Sequence, residues 1–150
     1  MPDWALIVTL AEGQAAALGT LAAHLRPDGR AVVDVWLPGP DDLALYDGRL
    51  LLEWLRDDPE TGERVTKTAS ARYDSATSSL HLTQLYDASA PGERGLRRTI
   101  RTDRIRLIGA SELVSMAASV GLRVETMAGD HQMAPFGPGA ERAVVVFRLV

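Results

Sequence analysis

An α/β domain built on a mostly parallel sheet, interrupted by an antiparallel insertion, is what this 150-residue sequence predicts. Two stretches carry that reading. From Leu18 to Pro38, a helical segment, a tight turn and a valine-rich run follow one another. From Leu50 to Ile108, extended segments are divided by turn residues. In the first stretch Leu18, Leu21, Ala22 and Leu25 recur at helical spacing and give one apolar face. Arg26 stands in the last turn, where a cation suits the negative end of the helix dipole. Pro27 cannot continue the helix, and Asp28-Gly29 is a turn pair. Ala31 to Leu37 is then nearly continuous apolar sequence, as expected of a central parallel strand buried on both faces.

Length and composition bound the rest. A chain of 150 residues is expected to form one domain and to bury roughly 70% of its unfolded surface. With 46% hydrophobic and 24% charged residues, the composition is that of a soluble globular protein. A net charge of −4 argues against general nucleic-acid affinity, which needs a basic surface. No apolar run approaches the ~18 residues of a membrane span, and no signal-peptide pattern is present. There is no cysteine, which excludes disulfide and thiolate chemistry and makes the cytoplasm the expected location.

In chain order, Trp4 to Val8 reads as a buried strand. Thr9-Leu-Ala-Glu12 fits a capping box, with Thr9 capping a helix that runs from about Leu10 to Leu25. Strand, helix and the strand Ala31 to Leu37 imply a parallel pair with a right-handed crossover. Pro38 to Asp42 is a loop, with a helical turn over Leu43 to Tyr46. Four extended segments follow: Leu50 to Arg56, Arg64 to Tyr73, Leu80 to Tyr86 and Leu96 to Leu107. In the second, Val65, Ala69, Ala71 and Tyr73 alternate with Thr66, Thr68, Ser70 and Arg72, as in an antiparallel meander with one wet face. Helical spacing returns with Leu113, Met116, Ala117 and Val120; Ser111 is the expected cap and Gly121 the end. Leu122 to Met127 is a strand, Gly129 to Gly139 a long loop, and Ala143 to Val150 a final strand. The expected division is a partial α/β core over 1–49 and 109–150, with 50–108 as an antiparallel insertion, an acceptor lid or dimerisation element.

The helix ending in His24-Leu-Arg-Pro-Asp-Gly29, and the strand after it, resemble the second half of a class I S-adenosylmethionine-dependent methyltransferase. That family has an hLrPGG turn at this place. Glu53-Trp54, Tyr73-Asp74, Tyr86-Asp87, Arg104 to Leu107 before Glu112-Leu113, Val120 to Glu125 and Gly129-Asp130 are similar to small-molecule members. The resemblance makes Trp4 to Val8 the family's fourth strand and Ala31 to Leu37 the fifth, with the last two strands following as sixth and seventh. It implies a Rossmann-like sheet, mostly parallel with the last strand antiparallel.

The family holds its cofactor by a glycine-rich loop after the first strand and an acidic residue ending the second, since glycines let backbone amides approach a ligand. No glycine-rich strand-to-helix loop of that spacing occurs here. Thr9 and Leu10 are what remain on the cofactor side. The resemblance thus implies the C-terminal part of a small-molecule methyltransferase, truncated and by itself incomplete for S-adenosylmethionine. The alternative is a non-catalytic binding or assembly module. In either case Trp4 to Val8 would be an exposed sheet edge, which tends to pair with another chain. A homo-oligomer, or a partner chain covering that edge, is therefore expected.

Ligands of open α/β sheets sit beyond the carboxyl ends of the parallel strands. Asp34 and Trp36 lie near such an end, and a charge in a buried strand needs a partner or a polar site. They are candidate substrate contacts, with Asp34 bonded to loop amides as the plainer alternative. Asp130-His131 falls in the loop where the resembling enzymes meet the acceptor. A histidine beside a carboxylate there could deprotonate an amine or hydroxyl before methyl transfer, against the plainer reading of a solvated loop pair. Tyr73 and Tyr86, with Trp54, could line an acceptor pocket or simply fill a core. His24 and His81 show no metal spacing, and no metal site is expected; His24 reads as capping its helix. Arg97, Arg98, Arg101, Arg104 and Arg106 alternate between two strand faces, as in a solvated, salt-bridged strand.

Overall fold

A computed structural model of the chain describes residues 11–90, 92 and 95–150. The expected strand Trp4 to Val8, the cap Thr9 and Leu10 lie outside the described residues. The chain divides into two compact units: residues up to Leu43 together with Ile105–Val150, and Ala44–Arg104.

In the first unit, helix α1 (Ala11–His24) leads into strand β1 (Ala31–Trp36). The turn between them closes on itself, with Gly29 N donating to Arg26 O at 2.8 Å. A side chain at position 29 would start 3.0 Å from that carbonyl and from Leu25 Cδ2, so the close approach explains the glycine. After α2 (Pro40–Ala44) the chain enters the second unit. It returns through helix α3 (Ala110–Ser119) to strands β6 (Leu122–Ala128) and β7 (Arg142–Leu149). The cap of α3 is Gly109 in extended conformation with no side-chain bond. The expected cap, Ser111, is instead in the first turn, where its carbonyl accepts from Ser115 Oγ. Gly121, with φ +80°, ends α3 as expected.

The core sheet has the order β1-β7-β6, and both pairs are antiparallel. This corrects the mostly parallel sheet expected from the sequence. The last strand is antiparallel, as expected, and it inserts between the other two. β1 and β6 therefore run in the same direction without touching. Any parallel pairing of β1 with Trp4 to Val8 falls outside the described residues.

Ala31, Val33 and Val35 of β1 share a face with Ala143, Val145 and Phe147 of β7, and all six are buried. Leu18 from α1, Leu113 and Ala117 from α3, Leu122 and Ile108 complete that core. Ala22 of α1 and Leu25 just past its end pack against it, whereas Leu21 is exposed and the buried position two turns earlier is Gln14. The expectation that β1 is buried on both faces fails at Val32, which is 64% exposed. An unbroken apolar run does not reveal which face a helix covers.

The second unit is a meander, β2 (Asp47–Asp57), β3 (Arg64–Asp74), β4 (Ser79–Ser89) and β5 (Arg97–Arg106), in that order across the sheet. The turns after β2 and β3 form where acidic side chains bind their own backbone, a local geometry that competes with strand pairing. Asp58 Oδ1 accepts from Glu60 N and Thr61 N. Asp74 accepts from Ala76 N and Thr77 Oγ1. Among the described residues no helix is long and apolar enough to cross a membrane.

Candidate functional site

Because β1 and β6 run in one direction and β7 against them, the carboxyl ends of β1 and β6 and the start of β7 share one edge of the core sheet. Trp36 and Asp34 arrive there from β1, Arg142 is the first residue of β7, and His131 follows β6. Arg142 stands opposite Trp36 in the register and Asp34 opposite Val144, so Arg142 reaches Asp34 diagonally on one face. Leu37 N donates to Glu141 O at 2.8 Å and fixes the backbone just before Arg142.

Asp34 gathers the charged groups of this edge. Arg142 donates to it through both arms of its guanidinium, Nε to Oδ1 at 2.9 Å and Nη2 to Oδ2 at 2.8 Å. His131 Nε2 lies 2.8 Å from Oδ2. A carboxylate only accepts, so Nε2 carries the hydrogen, and in the neutral ring Nδ1 is then the proton-accepting nitrogen. Burial pushes the Asp34 carboxyl up, but the hydrogen bonds and charges of Arg142 and His131 outweigh it and hold the group below the usual carboxylate range. The same contact raises the Arg142 guanidinium above its ordinary value. The Asp34 side chain is 21% exposed and that of His131 60%, so the carboxylate is sheltered while the imidazole faces outward.

Asp130 serves the loop itself: its Oδ1 accepts from Ala134 N at 2.9 Å and its carbonyl from Met133 N. Gly129 N donates to Ala134 O, and Ala128 bridges to Pro135. These bonds fold the loop back after β6, and the carboxylate that meets His131 is Asp34 rather than its sequence neighbour.

Tyr73 and Tyr86 belong to the second unit. Tyr86 stands opposite Lys67, which stands opposite Trp54, so the three form a row across β2, β3 and β4. The Trp54 and Tyr86 rings are 6.3 Å apart, Arg56 lies over Trp54, Lys67 over Tyr86, and Lys67 pairs with Glu53. Tyr73 shares that face but sits six positions from Lys67 along β3, about 20 Å away. The structure therefore does not bring Tyr73 and Tyr86 together. His24 donates from Nδ1 to Thr20 O in the last turn of α1, consistent with its expected capping role. Arg97, Arg98, Arg101 and Arg106 pair with Glu63, Asp87, Asp103 and Glu112 respectively, as expected of a salt-bridged strand.

Thr9 and Leu10 lie outside the described residues. Among the described residues, the carboxyl edge offers a carboxylate, an imidazole, a guanidinium and an indole, but no glycine-rich strand-to-helix turn. The tight turn at Gly29 lies at the opposite end of β1 and runs from helix to strand. Among the described residues, these groups do not by themselves fit a nucleoside-bearing donor. Among the described residues no group of three or more His, Asp or Glu is placed to hold a metal ion.

The fold that carries this edge is similar to that of solved S-adenosylmethionine-dependent methyltransferases. No protein-family model and no curated protein matches the chain; the likeness is to solved structures. The CcbJ methyltransferase from Streptomyces caelestis is 21% identical with a TM-score of 0.67, over 97% of this chain and 57% of its own. The sugar N-methyltransferase KedS8 from Streptoalloteichus is 20% identical, TM-score 0.65, over 94% and 51%. CalS10, an amino pentose methyltransferase from Micromonospora echinaspora solved with S-adenosylmethionine bound, is 16% identical, TM-score 0.61, over 93% and 52%. The chain thus spans a little over half the length of the structures it matches.

Proposed function

We propose that this chain forms the acceptor side of an S-adenosylmethionine-dependent methyltransferase whose acceptor is a small molecule carrying an amine. The observation that carries the reading is the Asp34–His131 pair, 2.8 Å apart at the carboxyl edge of a sheet with this fold. An aliphatic amine arrives near neutral pH as an ammonium ion with no lone pair to attack with. His131 Nδ1 accepts the ammonium proton, and the Asp34 carboxylate stabilises the imidazolium that results. Trp36 offers an apolar ring at the same edge for the body of the acceptor. S-adenosylmethionine, when bound, supplies an electrophilic methyl group, and the donor-binding residues lie outside those described above. That KedS8 is a sugar N-methyltransferase and CalS10 an amino pentose methyltransferase supports a sugar amine as acceptor.

Calorimetry tests both parts. An amino sugar titrated into the chain should bind saturably, in the millimolar range or tighter, and His131→Ala should weaken it severalfold. S-adenosylmethionine titrated alone should show no micromolar binding. Failure of every amine to bind overturns the acceptor reading. Micromolar binding of S-adenosylmethionine overturns the assignment of the donor pocket to other residues.

A further inference from the structure

We infer that Arg142 is a positioning residue: by engaging both oxygens of Asp34 it fixes the carboxylate so that His131 keeps a single tautomer, with Nδ1 facing the acceptor. The inference rests on the function proposed above and adds to it a residue that neither the sequence nor the likeness to known structures assigns.

The geometry is that of a three-part chain. Arg142 takes Oδ1 and Oδ2 at 2.9 and 2.8 Å, and His131 Nε2 takes Oδ2 at 2.8 Å. A planar guanidinium binding two oxygens sets the orientation of a carboxylate, which a point charge does not. Arg142 is itself well anchored, at the start of a central strand beside the Leu37–Glu141 backbone bond. His131 stands on a loop and is the most exposed of the three. Order thus passes from the strand residue Arg142, through Asp34, to the loop imidazole. Three of the roughly four lone-pair sites of the Asp34 carboxylate are then in use. Asp34 becomes the orienting group, and His131 the group that meets the acceptor nitrogen.

Nitrogen-15 spectra of the imidazole rings, recorded where they are neutral, test this without requiring turnover. The chain has only three histidines, so His131 is assignable by its replacement. The native protein should show the Nε2–H form in about tenfold or greater excess, as a hydrogen bond to a charged partner implies. Arg142→Met should bring the two tautomers to within a few fold of each other. Arg142→Lys, the milder change should the first variant fail to fold, should restore the excess only in part. A native-like tautomer ratio in Arg142→Met, or full restoration by Arg142→Lys, overturns the positioning role. Failure of the underlying dyad looks different: Asp34→Ala would then leave the His131 tautomer unchanged.

Discussion

Breaking the contact between Asp34 and Arg142 should cost more than its position near the surface suggests. The two side chains are 21% and 35% exposed and joined by two charge-assisted bonds. A hydrogen bond to a charged group contributes about 1.5–3 kcal/mol when sheltered, and a fully solvated ion pair about 0–1. Solvent still reaches Arg142, so the coupling should fall between these limits, at about 1–2 kcal/mol. Each single change, Asp34→Ala or Arg142→Met, should cost somewhat more, about 2–3 kcal/mol, because it strands the remaining partly buried charge. For a chain of this size that lowers the melting temperature by about 4–10 °C. The double variant should then cost less than the sum of the two. A double-mutant cycle by urea unfolding measures the difference. The exposed pair Arg64–Asp57, with both side chains 62% exposed, is the internal control and should show coupling within error of zero. In 1 M salt the Asp34–Arg142 coupling should largely persist, since sheltered pairs are screened less. Coupling no larger than that of the control pair would refute the claim that this contact organises the edge.

Acid should destabilise the fold. Asp34, Asp58, Asp74, Asp87 and Glu125 are all held below their ordinary values, by the bonds and charges described for Asp34 and by their hydrogen-bond partners elsewhere. Unfolding returns them to higher values and takes up protons. Their contribution is thus complete above the unfolded carboxylate range near pH 4 and is lost as pH falls through the lower folded values. Melting temperatures should be flat between about pH 7 and 5 and drop below about 4; a rise on acidification would contradict the assignment. Phe147→Ala, at a fully buried position on the central strand, should cost about 3–5 kcal/mol in urea unfolding. Gly121→Ala should cost about 1–2 kcal/mol through backbone strain alone, since φ is +80° and the added carbon meets nothing within 4 Å.

The parts of the fold legible in the sequence are those set by local chemistry. The helix from Ala11 to His24 and its stop at Pro27-Asp28-Gly29 follow from spacing and turn residues. So do the meander hairpins, where Asp58 and Asp74 bind their own turns. Strand order was not legible. Nothing in the Ala143 to Val150 run distinguishes a central from an edge strand, because an apolar strand suits both. The same ambiguity hid the exposure of Val32. At the site, Asp34 carried a usable signal, a charge within an apolar strand that demands a partner. The partner, Arg142, lies 108 residues away, and its place opposite Trp36 depends on the strand order that could not be read. Asp130 stood beside His131 in the chain, so adjacency pointed to the wrong carboxylate; the loop turns Asp130 back on its own backbone.

The insertion of β7 between β1 and β6 is what makes such a site possible. Had β6 paired directly with β1 in parallel, Asp34 and His131 could still have met at the carboxyl edge, because both would have come from the ends of like-directed strands. A cation at the start of a third strand could not have joined them, since every neighbouring strand would begin at the opposite edge. An antiparallel strand in the middle brings its first residue to the edge where its neighbours finish. Arg142 therefore reaches Asp34 along one face of the sheet, at the cost of the long return loop between β6 and β7. That loop is where His131 stands. The same chain reversal thus places both the anchored cation and the outward-facing imidazole at this edge, and a parallel pairing of β6 with β1 would remove the cation while leaving the imidazole.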